Sequence, residues 1–168
     1  MNVSVVTAGD IDNLELFKGL TTADLEKIAA ICLRQTFTAG AVIFDPFSYV
    51  NKVYFVAEGQ DRVQIEIPLS GYSSKIVVHT LAKGEVFGWV ALGPAHSRTA
   101  LARCLDNCTL ISLEGEDLLR LLDANPVMGY TVMKNLAGII SSRLSYTTII
   151  FRREISRLIR KQTADMAV

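Results

Sequence analysis

Apolar residues along this chain change their period twice. Over residues 12–34 they fall at helical spacing. Leu14, Leu16 and Phe17 come first, and Leu25, Ile28, Ala29 and Cys32 then line one face. Thr21, with Asp24 three residues on, is placed as an N-cap. From Phe37 the period is that of strands. AVIF (41–44) follows Gly40 and is broken by Asp45-Pro46, and KVYFVAEG (52–59) reads as a buried strand. RVQIEI (62–67) alternates, with Val63, Ile65 and Ile67 facing in and Arg62, Gln64 and Glu66 facing out. SGYSS (70–74) is a turn, and KIVVHTL (75–81) is a strand closed by Lys83-Gly84. TALARCL (99–105) and TLISL (109–113) read as a hairpin around Asp106-Asn107. After Leu113 the period returns to 3.6. EDLLRLLDAN (116–125) is a short amphipathic helix, and Pro126 suits the first turn of the next. From there to about Lys161 only Gly129 and Gly138 interrupt, which predicts one long helix or two with a bend.

Short strands at this pitch predict an all-β sandwich, barrel or roll with flanking helices. Residues 12–125 form the β-roll part, and 126–163 the long C-terminal helix of the same domain. So long a helix cannot bury itself on a roll of this size and calls for a twin across a two-fold axis. Leu144, Thr148, Phe151, Ile155 and Leu158 step by 4, 3, 4, 3, the spacing of a pairing seam, which predicts a homodimer.

Composition narrows the function. Half the chain is apolar, and 17 basic residues balance 17 acidic ones, so overall charge does not point to a polyanion. No run of 18 apolar residues predicts a membrane span. The opening MNVSVVTAGDIDNLE lacks the marks of a secretory signal, which points to the cytoplasm. Cys32, Cys104 and Cys108 read as reduced thiols. The Cys104/Cys108 pair has no second pair, and His79 and His96 lie in different segments, so no metal and no certain cofactor is expected.

The segment richest in chemistry is GEVFGWVALGPAHSRTA (84–100). Gly88 lets backbone approach a ligand closely, and the turn after it offers N–H groups to an anion. Arg98 can give a phosphate a charge-assisted hydrogen bond, and Thr99 adds a hydroxyl. In isolation Arg98 would read as a surface charge. The segment resembles the phosphate-binding cassette of the cyclic-nucleotide-binding domain family, with Phe87, Gly88, Ala91, Leu92, Arg98 and Ala100 at matching places. The resemblance runs over roughly 14–160. It implies an eight-stranded, jelly-roll-like β-roll followed by a dimerisation helix, mainly β with flanking helices. It also implies a ligand site of Phe87, Gly88, Trp89, Val90, Ala91, Arg98 and Thr99. Arg143-Leu144-Ser145-Tyr146-Thr147-Thr148 resembles the family's helical stretch where a hydroxyl pair reaches the base, which adds Thr147 and Thr148. The alternative for Thr148 is a hydroxyl bonded back to its own helix.

One departure divides the reading. The family's Glu after Phe-Gly, which accepts the ribose hydroxyl, is here Trp89. The indole either fills the ribose space, stacks on a flat ligand, or turns into the core. Two functions follow. The first is a non-enzymatic regulatory sensor of cyclic AMP, cyclic GMP or a related anion, signalling through dimer geometry to a separate effector protein. The second is a degenerate domain that binds no nucleotide and serves as a dimerisation or docking piece. The chain stops at Val168, too early for the winged helix of the family's transcription activators, so sequence-specific DNA binding is not expected. Arg152, Arg153, Arg157, Arg160 and Lys161 make a basic segment that reads as a solvated helix face.

Overall fold

The computed structural model describes residues 5–46, 48–49, 51–58, 62–68, 75–94 and 99–165, without the side chains of Leu158 and 161–165. The region expected as helix over 12–34 is broken into pieces. Helix α1 spans Ala8–Ile11, a 3-10 turn covers Glu15–Phe17, and α2 spans Thr22–Ala29. Between the 3-10 turn and α2 stands Gly19, whose φ of +83° no right-handed helix accommodates. Thr21 caps α2 as expected, its hydroxyl accepting from the Asp24 amide at 3.2 Å. Leu16 and Phe17 are buried, with Phe17 packed on Phe55 at a ring-centre distance of 5.1 Å. Residues 33–34, expected in the helix, open a strand instead.

Among the described residues, eight strands form two four-stranded antiparallel sheets. They are β1 (Leu33–Phe37), β2 (Val42–Phe44), β3 (Lys52–Val56), β4 (Val63–Pro68), β5 (Lys75–Leu81), β6 (Val86–Phe87), β7 (Leu101–Cys104) and β8 (Cys108–Glu114). One sheet has the order β1-β8-β3-β6 and the other β2-β7-β4-β5. The jelly-roll-like β-roll with flanking helices is therefore the fold. The expected hairpin of β7 with β8 is not present: β7 pairs with β2 and β4, while β8 pairs with β1 and β3. The chain changes sheet at Asp106-Asn107, because alternate strands must cross between layers to close the roll.

Alternation fails at Glu66. Expected to face out, it is only 2% exposed, with Lys75 Nζ at 2.5 Å from its carboxylate. A bulge lies there: Ile65 pairs with His79 but Glu66 with Val77, so the extra residue, Val78, tightens the local twist. A carboxylate buried in this way is kept by its cation partner.

Helix α3 covers Gly115–Ala124, and α4 is a single helix over Pro126–Asp165, the long element expected. Met128, Val132 and Leu136 join α1, α2 and the β3/β8 side in one apolar cluster. Tyr54, Val56, Val63, Leu81, Phe87, Ala102, Cys104 and Leu110 form a second, inside the roll. The three cysteines are buried and in no disulfide among the described residues, and burial pushes the Cys32 thiol up to about 12.

Candidate functional site

The cassette begins on a rigid floor. Phe87 is buried, stacked on Tyr54 at 5.3 Å and set against Phe44 at 6.0 Å. Gly88 then takes φ +76° and ψ 14°, a left-handed conformation that only glycine adopts without strain. This turn aims the chain away from β6 into the 3-10 turn Trp89–Leu92. Ala91 N–H donates to Gly88 O at 3.1 Å, and Gly93 N–H to Val90 O at 3.1 Å. Ala91 and Leu92 are buried and Val90 is half-buried. The turn is wedged against the start of α3: a Cβ on Gly115 would lie 2.4 Å from Ala91 O. Phe87, Gly88, Trp89, Val90 and Ala91 thus run from β6 into the 3-10 turn. Thr99 is described and exposed. Arg98, the expected anion ligand, lies outside the described residues, as do His96 and the 70–74 turn.

Trp89 is half-buried and touches both apolar clusters. It spans the seam between the roll interior and the helical layer.

On α4, Thr147 is half-buried and Thr148 exposed. The Thr148 hydroxyl donates to Leu144 O at 2.8 Å, the back-bond to its own helix. Leu144 is 67% exposed, Ile155 is 55% exposed and Phe151 is half-buried, while the Leu158 side chain lies outside the description. Tyr130, Met133 and Ile140 are also exposed, and at 3.6 residues per turn they continue the same face toward the start of α4. The helix therefore carries two apolar stripes. One, through Met128, Val132 and Leu136, packs on the roll, and the other has no partner within the described chain.

Sequence reasoning missed the polar contact between α4 and the roll. Arg143 Nη2 lies 2.7 Å from Glu85 Oε1 and 3.2 Å from Glu15 Oε1. Arg143 Nη1 also meets His79 Nε2, and that nitrogen is 3.3 Å from Glu85 Oε1. The His79 ring is packed edge-on to Tyr146 at 5.2 Å, and its Nδ1 is buried with no partner among the described residues. Burial pushes the Glu85 carboxyl up, but hydrogen bonds from His79, the Ala82 amide and Arg143 outweigh it and hold it at about 2. These four residues come from four segments, so no local pattern marked them. The Arg143-to-Thr148 stretch was the one available signal.

Among the described residues no group of three His, Cys, Asp or Glu side chains is placed to hold a metal, and no helix is long and apolar enough to cross a membrane.

Known proteins share this arrangement. The chain is 28% identical over 129 residues to the cyclic AMP receptor protein of Thermus thermophilus, covering 77% of this chain and 56% of that protein. It is 23% identical over 158 residues to the potassium channel SKOR of Arabidopsis thaliana, covering 94% of this chain and 18% of the channel. The chain thus spans just over half, or less, of the curated relatives it matches. Among solved structures, the catabolite activator protein of Thermus thermophilus superposes with a TM-score of 0.68 at 26% identity, over 86% of this chain and 62% of that one. The profile described as "Cyclic nucleotide-binding domain" matches residues 34–125, from β1 through the cassette to the end of α3. Two four-stranded sheets, a left-handed glycine opening a cassette turn and a long helix closing the roll thus meet in one molecule, and the chain belongs to the cyclic nucleotide-binding domain family.

Proposed function

We propose that this regulatory domain is a sensor, not an enzyme, that takes a cyclic nucleotide or a related anionic ligand at the cassette. It passes occupancy to helix α4 in a homodimer, and from there to a separate effector protein, in the cytoplasm. The observation that carries the reading is the left-handed Gly88 between buried Phe87 and the Trp89–Leu92 turn. A left-handed residue opening a turn can present backbone N–H groups to an anion, and the cassette resemblance assigns Arg98 and Thr99 to the same site, which suits a phosphate. Ligand preference between two helix positions would drive the change, since only differential affinity shifts an equilibrium. The exposed stripe on α4 supports a second copy as the partner.

A second reading is favoured by Trp89 itself. Its indole stands where the family resemblance expects the ribose-binding carboxylate, and it packs into both clusters. In that reading nucleotide is not bound and the domain works by association.

Titrating Trp89 fluorescence with cyclic AMP and cyclic GMP separates them. Saturable quenching or enhancement that disappears in Arg98→Ala supports the sensor. A flat signal together with an unchanged melting temperature supports the second reading.

A further inference from the structure

Among the described residues, two polar anchors hold helix α4 to the rest of the domain. Asn135 Nδ2 donates to Leu16 O at 3.0 Å and to Lys18 O at 2.9 Å. Two turns on, Arg143 enters the cluster of Glu15, His79 and Glu85 with 13% of its side chain exposed. The first anchor lies in the stretch where Met128, Val132 and Leu136 already fix the helix by apolar burial. The second lies where such burial is thin: Ile150 is buried, but Leu144, Ile149 and Ile155 are exposed.

Both carboxylates that hold Arg143 are also tied to the backbone entering the cassette. Glu15 Oε1 accepts the Val86 amide at 2.7 Å. Glu85 Oε2 accepts the Ala82 amide at 2.7 Å, and Glu85 directly precedes β6 and stands three residues before Gly88. A shift of β6 therefore carries both carboxylates, and the guanidinium with them. Arginine suits this task because its planar fork engages two acceptors at once and keeps its charge when partly buried. With one guanidinium against two carboxylates, neither acid is repelled from the site without loss of the pairing.

We propose that Arg143 is a positioning residue that couples the cassette to helix α4 through Glu85 and Glu15, so that cassette movement sets how the helix beyond residue 143 is docked. This rests on the sensor reading for its purpose, but its geometry is tested without ligand. Hydrogen exchange followed by mass spectrometry on the full chain reads local opening of each segment. In Arg143→Ala, amides of 139–150 exchange roughly tenfold faster or more, while those of 128–136 keep their wild-type rates. Glu85→Gln accelerates the same segment by a smaller factor, and Arg143→Lys restores much of the protection. Gly88→Ala, which strains the cassette, accelerates 139–150 in the wild-type background and adds nothing in Arg143→Ala. Wild-type rates at 139–150 in Glu85→Gln, an acceleration spread evenly over the chain, or additive effects of Gly88→Ala and Arg143→Ala would each overturn the coupling. Where Arg143→Ala does not fold, Glu85→Gln takes its place in both comparisons. A wild-type chain that ignores cyclic nucleotides removes the sensor reading and leaves this coupling, measured in ligand-free protein, to stand or fall alone.

Discussion

Trp89 and Glu85 show how much one side chain settles. Restoring the family's carboxylate with Trp89→Glu gives a ribose hydroxyl a charged acceptor, worth about 1.5–3 kcal/mol. Calorimetry is expected to show cyclic AMP binding roughly 10- to 150-fold tighter in that variant. The gain comes with a loss of about 1–3 kcal/mol in stability, because the indole leaves two apolar clusters. Unchanged affinity would mean that residue 89 does not face the ribose. Glu85 gives a pH test. Its carboxyl is held at about 2, below the ordinary 4.5, so its contribution is fully present above pH 4.5 and lost as pH falls toward 2. Denaturant unfolding should find Glu85→Gln less stable than wild type at pH 7, with the gap closing between pH 4.5 and 2. A gap of constant size over that range would show that the carboxylate's charge is not what matters.

At the scale of elements, two contacts are exposed to test. Gly115 lets α3 begin against the cassette turn, where a Cβ would meet Ala91 O at 2.4 Å. Gly115→Ala should cost about 1–3 kcal/mol, as overpacking does, and shift Trp89 emission because the turn must move. Unaltered emission would mean that the helix yields and the turn does not. On α4, Phe151→Ser with Ile155→Ser removes two members of the exposed stripe. Sedimentation should then find a monomer where the wild type sediments as a dimer, and a monomeric wild type would end the pairing idea. Elements with a strong period were legible in the chain: β5 matches its expected 75–81, and α4 runs unbroken from Pro126. Strand β6 was not, because two residues carry no period. Strand β1 was hidden because the helical spacing of Ile28, Ala29 and Cys32 continues up to its first residue.

For the whole molecule, ligand binding must appear as stability. A ligand at about 100 times its Kd stabilises the fold by about 2.7 kcal/mol, which a melting curve with cyclic AMP or cyclic GMP would resolve. Hydrophobic periodicity, the glycine at 88 and the family-like cassette spacing were enough to determine a β-roll closed by a long helix, since burial and φ preferences act locally along the chain. Sheet membership was not determined that way: β7 and β8 look like a hairpin until packing of the two layers sends them apart. Nor was the burial of Glu66, which depends on a bulge and on Lys75 from the neighbouring strand. The Arg143 cluster is the clearest case. Arg143 sits 64 positions from His79 and 128 from Glu15 along the chain, and only the docking of α4 across the roll brings them within hydrogen-bond reach.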